Sequence, residues 1–330
     1  MGNLPEVRVS PSPAFQKRGV DYAGPFTLRA IPARSKVTFK GYLCIFVCMV
    51  TRAIHLEIVS SLDTDSFIAT LKRFVARRGK PTDIYSDQGT NFIGAEHELK
   101  GLITSDAHNA TLAKTLANDG INWHFNPPGA PHMGGVWEAG VKTVKYHLKR
   151  VVGETRLTFE EITTLMAQIE ACFNSRPLTP MSSDPNDFSA LTPGHFLIGR
   201  PLLAIPEPNL QETKLNQLSR WQYLQRITQD FWKRWTNEHI SRLQQRPKWT
   251  RPMQSIKIGD LVIIKAENFP PLHWKMGRVI KTHEGTDGLV RVVTLKTEGG
   301  EMQRPIHKLC LLPLDDESQA EIHGGRDVGS

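Results

Sequence analysis

Several things are scarce in this sequence. It has only four cysteines in 330 residues, Cys44, Cys48, Cys172 and Cys310, and none forms a C-x-x-C pair. A disulfide framework and a cysteine-based zinc site are thereby excluded, and the usage fits a reducing compartment. No run approaches the roughly 20 uninterrupted apolar residues of a membrane span, so a soluble protein is expected. The opening MGNLPEVRVSPSP lacks an apolar signal core and reads as not secreted. Acids are also in deficit, with 33 Asp+Glu against 41 Lys+Arg, a net charge of +8 and a pI near 9.3. That balance favours a polyanionic partner, nucleic acid first. Hydrophobic residues at 39% are enough for the bulk to fold, and the length leaves room for two domains.

Residues 1–14, with Pro5, Pro11 and Pro13, read as an extended arm. Two apolar runs, YLCIFVCMV (42–50) and AIHLEIV (53–59), lie only two residues apart and predict a hairpin of central strands, with a basic loop before them. Asp63 is placed to cap a helix over 64–78 that Gly79 and Pro81 end. TDIYS (82–86) and INWHF (121–125) read as strands around one or two polar helices in 91–118. The loop NPPGAPHMGG (126–135) follows, then helices over 136–152 and 159–174, the latter with Thr158 and Glu161 at capping-box spacing. This order predicts an α/β mixed sheet flanked by helices over 15–180. A proline-rich linker (181–211) and a basic amphipathic helix (212–250, its helical pattern running 212–246) come next. Nine Lys/Arg against three acids in 211–252 give this part most of the excess charge. Alternating strands in 251–314 predict a small β-barrel, and the acidic stretch 315–330 reads as a disordered tail.

Three carboxylates carry the chemistry. Asp21 lies inside the first strand (GVDYAGPF), Asp87 follows a later strand (IYSDQGTNF) and Glu138 opens a helix (HMGGVWEAGVK). Strand ends and helix starts converge at one edge of an α/β sheet, where three unscreened acids would raise one another's pKa values. A divalent cation resolves the repulsion, and all-oxygen ligation favours Mg²⁺ or Mn²⁺ over zinc. Two such ions suit phosphodiester chemistry. Lys142, Lys145 and Lys149 share a helix face with Glu138, as groups gripping a phosphate backbone would. Taken singly, each acid also fits an ordinary turn or strand-edge position, and the lysines a solvated face. Asn91 can cap the helix after the Asp87 turn and hold that turn or position water.

The order Asp21, Asp87, Glu138, together with SDQGTNF, NPPGAPHMGGVWE, VTRAIHLEIV, FNSRPLTP and LTPGHFLIGRP, resembles the integrase core of long-terminal-repeat retrotransposons of the BEL/Pao group over residues 4–205. WQYLQRITQDFWKRW, GDLVIIK, HWKMGRVI and RPIHKLCLLP look like the tail domain attached to those integrases. The resemblance implies an RNase H-like fold followed by an SH3-like barrel. It also implies an Asp-Asp-Glu triad of Asp21, Asp87 and Glu138 that binds two Mg²⁺ (or Mn²⁺) ions and acts as a polynucleotidyl transferase on DNA. Double-stranded DNA, both element ends and target, would be the partner, with donor-DNA contacts at Lys142 and Lys145. A homo-oligomer, a chromatin contact and nuclear residence after cytoplasmic assembly are further expectations, and a membrane role is not. The spacing from Asp87 to Glu138 is longer than in retroviral integrases, as is ordinary for this group. The amino-terminal His-His-Cys-Cys zinc module of complete integrases is missing from the sequence, so the chain reads as an element fragment or a domesticated derivative. Two other classes stay open: a non-catalytic DNA- or chromatin-binding protein, and a scaffold that multimerises through the 212–246 helix.

Other conspicuous residues have blander readings. His55, His124 and His132 read as hydrogen-bonding or packing groups, and Cys44 and Cys48 as buried neighbours on one strand face. Trp221, Trp232, Trp235 and Trp249 fit either DNA stacking or a helix core packed on the barrel, and Trp274 fits barrel core. Lys265, Lys275, Arg278 and Lys281 are expected to form an exposed, backbone-tracking surface.

Overall fold

The computed structural model of the chain describes residues 10–31, 37–105, 120–126, 135–153, 155–244, 256–265, 269–286 and 288–312. The acidic tail, the first nine residues of the arm, most of the 126–135 loop, the end of the polar helical region, His132 and Trp249 lie outside them. The chain divides into two units. One comprises Met1–Ser175, Pro193–Trp235 and Pro270–Leu272; the other comprises Arg176–Thr192, Thr236–Phe269 and His273–Ser330. The stretch read as a linker is thus shared between the units. Among the described residues no helix is long and apolar enough to cross a membrane.

The first unit is built on β1 (Lys17–Arg29), β2 (Thr38–Cys48), β3 (Ile54–Val59), β4 (Asp83–Ser86), β5 (Asn122–Phe125) and the short β6 (Leu157–Thr158). Their order is β3-β2-β1-β4-β5, with β6 beside the end of β1. The first three strands are antiparallel, whereas β4 runs parallel to β1 and β5 parallel to β4. This is the RNase H-like arrangement. Helices α1 (Thr64–Arg78), α2 (Thr90–Ser105), α3 (Gly135–Val152) and α4 (Phe159–Asn174) flank it.

Local chemistry explains the boundaries. The Asp63 carboxylate accepts the Ser66 N–H at 2.7 Å and starts α1. Gly79, at φ 86°, ends it with its own N–H on the Val75 carbonyl. Thr158 and Glu161 form the expected reciprocal capping box of α4. The end of β2 is buried on both faces because helices cover both. Cys44, Phe46 and Cys48 join Phe67, Ile68, Leu71 and Phe74 of α1 in one core. On the opposite face a Cβ added to Gly140 of α3 would lie 3.3 Å from Val47, so that glycine lets α3 approach β2 closely. β3 is the edge strand. Its Ile54 N–H and C=O are held by the Asn174 side-chain amide, and its Leu56 N–H by the Glu170 carboxylate, both from α4.

Short β7 (Thr179–Pro180) and β8 (Ala190–Leu191) precede α5 (Pro193–Ile198). The helix expected over 212–246 runs as α6, Arg220–Leu243, after a 3₁₀ turn at Leu215–Gln217. Ser219 fixes the start: its hydroxyl accepts the Gln222 N–H while the Gln222 side chain accepts the Ser219 N–H. Trp232 and Trp235 are buried, and Trp235 meets Phe173 of α4 edge-on, a contact within the first unit. Trp221 is exposed.

The second unit is an all-β sheet in the order β12-β11-β10-β9-β13, made of β9 (Leu261–Ile264), β10 (Met276–Glu284), β11 (Val290–Thr297), β12 (Gly300–Pro305) and β13 (Leu309–Leu311). All its pairs are antiparallel, and a 3₁₀ turn at Ile306–Lys308 leads into β13, the strand order of a small SH3-like barrel. β9 is buried on both faces. Val262 and Ile264 face Val279, Val293 and Leu295, while Leu261 and Ile263 pack with Ile240, Ala190 and the partly buried Trp274.

Candidate active site

The parallel register of β1 and β4 builds the site. Lys17 lies beside Asp83 and Gly19 beside Tyr85, and the same register carried two residues further brings Asp21 to Asp87. Asp21 is also paired with Ile45 of β2 and so faces the α3 side of the sheet. Its Oδ1 accepts the Tyr22 N–H at 2.6 Å, and its Oδ2 lies 3.6 Å from Lys145 Nζ of α3. Burial pushes the Asp21 carboxyl above its usual range; Lys145 and the Tyr22 N–H oppose the shift, and the Asp87 charge adds to it.

Asp87 sits just past the end of β4, exposed, with Oδ1 accepting the Gly89 N–H at 3.0 Å. A Cβ on Gly89 would fall 2.7 Å from Asn91 Oδ1 and 3.2 Å from Asp87 Oδ1, so this turn excludes a side chain there. Ser86 anchors the strand end, donating to the Asp87 carbonyl and accepting from the Trp123 indole. Asn91 does not cap α2, which already begins at Thr90. It is buried within the first turn, its Oδ1 against Gly89, while Gly89 O receives the Phe92 and Ile93 N–H groups.

Glu138 belongs to the first turn of α3, and its side chain lies outside the described residues. Val141, Val144, Leu148 and Val152 bury the inner face of that helix, and Lys142, Lys145 and Lys149 are exposed. Among the described residues Lys145 pairs with a carboxylate of the site, Asp21. Among the described residues no cluster of three metal-ligating side chains is present.

In the second unit Lys281 is exposed, Lys265 half-buried, and Lys275 half-buried with Nζ 5.5 Å from the Phe269 ring centroid. Arg278 corrects the expected surface. It is 2% exposed, and its guanidinium donates to the carbonyls of Gly259, Ser182 and Asp187 at 2.8–3.0 Å. It tethers backbone and does not reach a phosphate.

Two further groups lie outside the carboxylate site, and the sequence marks only their histidines, as hydrogen-bonding or packing residues. His55 is buried between Glu57 at 3.2 Å and Glu170 at 3.1 Å, and Arg73 and Arg77 hold Glu57 while Arg78 holds Glu170. These residues line a cleft of about 570 Å³ between α1, β3 and α4. Burial alone would lower His55, but its hydrogen bonds to Glu170 and Glu57 outweigh burial and raise it. The i,i+2 pair His55 and Glu57 on one strand face was the legible part. The second group, Tyr85 stacked on His124, stands on the same sheet face as Asp21. Both histidines hydrogen-bond to carboxylates, as their reading as hydrogen-bonding groups expects. The four cysteines are free and buried.

Comparison with known proteins bears on this geometry directly. Residues 22–131 match the integrase core domain. The matched segment contains Asp87, starts one residue after Asp21 and ends before Glu138. Residues 219–312 match a family of unknown function (DUF5641). No curated protein matches the chain. Among solved structures, a chain of the simian T-cell lymphotropic virus intasome in complex with PP2A regulatory subunit B56 gamma is similar at 12% identity. The likeness covers 96% of this chain and 85% of that one at a TM-score of 0.39.

Proposed function

We propose that the chain is an integrase of the BEL/Pao retrotransposon type, a polynucleotidyl transferase that cleaves and joins DNA ends. The observation that carries this reading is the juxtaposition of Asp21 and Asp87 at one register of two parallel strands, beside the helix that bears Glu138. The integrase core match over 22–131 supports the same class of chemistry.

The donor set fits hard divalent cations: the described ligands offer oxygen only, and burial, with a smaller contribution from the Asp87 charge, raises Asp21. Asp21, Asp87 and Glu138 would hold two Mg²⁺ or Mn²⁺ ions. When bound, such ions activate the attacking oxygen and stabilise the departing one. The chain's own groups prepare the site. The Tyr22 and Gly89 N–H groups fix the two aspartates, and Asn91 packs the turn beneath Asp87. Lys142, Lys145 and Lys149 would grip phosphates, with Lys145 exchanging its pairing to Asp21 for one to DNA. Lys265 and Lys275 of the small sheet would track a duplex backbone. In this reading the partners are element ends and target DNA, a homo-oligomer assembles on them, chromatin is contacted, and the work is nuclear after cytoplasmic assembly.

The test is incubation of the full chain with short duplex ends and Mg²⁺, reading nicking and strand transfer. Activity in the parent and its loss in Asp87→Asn is the expected result. Salt-sensitive duplex binding with no metal-dependent cleavage in the parent would instead establish a non-catalytic DNA-binding protein.

A further inference from the structure

The face of the sheet that carries Asp21 and Asp87 continues as a second row. Tyr85 pairs with His124 across β4 and β5, two residues before Asp87 and Asn126, and the Asn126 N–H still reaches the Ser86 carbonyl. Two residues of strand advance about 7 Å, so this row lies about 7 Å from the carboxylates on the same face. The opposite face is closed, because Ile84, Trp123 and Phe125 turn into the core.

Within the row the two rings lie parallel, with centroids 4.5 Å apart and an interplanar angle of 13°. The imidazole is fixed at its edge: Nε2 lies 2.7 Å from Asp83 Oδ1, and Asp83 is itself held by the Thr82 hydroxyl. Tyr85 covers one side of the imidazole, yet the His124 side chain is 45% exposed, and β5 is the outer strand of the sheet. A locked, half-exposed aromatic plane at a sheet edge has no role in the core.

We infer that the Tyr85–His124 stack is a platform for one unpaired base of a DNA end whose backbone lies at Asp21 and Asp87. Base–aromatic stacking tolerates any base because each has a π-face, which suits a site that must accept frayed ends. The inference deepens the proposed function and rests on it.

The experiment uses the full chain with a duplex that carries 2-aminopurine in a short single-stranded overhang, beside the same duplex blunt-ended. Stacking quenches the probe. The parent is expected to quench it on binding, His124→Ala to lose the quench and bind the overhang about tenfold more weakly, and His124→Phe to restore both. Blunt-duplex affinity should be common to all three. Restoration by Phe separates a stacking surface from a hydrogen-bonding role of the imidazole. If His124→Ala does not fold, Tyr85→Leu, which keeps apolar bulk but removes the supporting ring, should lose the quench in its place. Binding by the parent without quench, or equal quench in parent and variant, would overturn the platform and leave the DNA reading intact. Failure of the parent to bind either duplex would overturn both.

Discussion

Asp21 and Asp87, far apart in sequence, meet because β1 and β4 are parallel neighbours in one register, and the charge of Asp87 bears directly on the Asp21 carboxyl. A carboxyl raised by burial and by a second acid is strained while ionised. Because its folded pKa lies above the unfolded value, the folded chain holds the extra proton and its stability falls as pH rises through that window. Without divalent metal, Asp21→Asn should therefore raise the melting temperature at neutral pH, by the roughly 2–4 °C that about 1 kcal/mol gives in a unit of this size. Mg²⁺ at about 100 times its dissociation constant should stabilise the parent by about 2.7 kcal/mol and the variant far less. Equal Mg²⁺ shifts, read by calorimetry, would remove the metal from this site.

Lys145 is the cation against Asp21, and Lys142 shares its exposed face. Lys142→Ala with Lys145→Ala should leave helix propensity nearly intact but removes the cation beside the half-buried Asp21, so melting at neutral pH should fall modestly while the fold survives. Strand transfer or nicking should fall tenfold or more, since each 1.4 kcal/mol of transition-state binding is worth a factor of ten. Lys149→Ala should do less. Full activity in the double variant would make the stripe a solvated face.

His55 predicts a pH dependence that is independent of the carboxylate site. Glu57 and Glu170 face it, with Arg73, Arg77 and Arg78 behind them, and the net effect is a raised folded pKa. The stabilisation is complete below the unfolded value near 6.5 and is lost as pH rises through the folded one. Glu57, held low by His55 and Arg73 against the opposing effect of burial, adds stability that is lost as pH falls below its usual range. Urea melts of the first unit should thus be most stable in weak acid. His55→Gln should flatten the decline above about pH 6.5; an unchanged profile would remove His55 as its cause.

Arg18 is fully buried, its guanidinium 3.8 Å from the Phe74 ring centroid, with no hydrogen-bond partner among the described residues. Burial brings its pKa down to about 9. A depressed base binds fewer protons folded than unfolded, so its contribution to stability improves as pH rises from about 9 toward 12.5. Arg18→Met, of similar reach and without charge, should stabilise the chain by about 1–4 kcal/mol at neutral pH. A destabilised variant in a denaturant titration would mean that the cation–π contact outweighs the desolvation.

Arg278 holds three backbone carbonyls, two of them from the 182–187 turn. Arg278→Met would remove all three bonds, each worth about 0.5–1.5 kcal/mol net where water can take the place of the guanidinium. Thermal unfolding should show the second unit melting early. The slope of DNA affinity against salt should be unchanged, whereas loss of a true phosphate contact would flatten it by about 0.9.

Much of the first unit was legible because its signals are local. Asp63 and Gly79 bound α1, Thr158 and Glu161 open α4, and the two apolar runs YLCIFVCMV and AIHLEIV, only two residues apart, mark a hairpin. Ser219 and Gln222 were an equally local signal for the start of α6, overlooked because the basic run extends further in both directions. Asp21 could be picked as an acid inside an apolar strand and Asp87 by its strand end, but their register could not, since parallel pairing is decided between segments distant in sequence. Arg278 failed for a related reason. A strand arginine reads as exposed until the 182–187 turn, remote in sequence and full of turn formers, is seen to supply the carbonyls. His55 read as a hydrogen-bonding or packing residue, and only α4 brings the second carboxylate to it.

The treatment of β3 has a consequence for assembly. An edge strand ordinarily offers a row of free amide groups on which a foreign strand can pair. Here Asn174 and Glu170 already occupy the Ile54 and Leu56 positions of that row. The Ile54–Leu56 part of this edge is therefore covered by side chains of the chain's own helix. Strand pairing by another copy along that part would first have to displace Asn174 and Glu170.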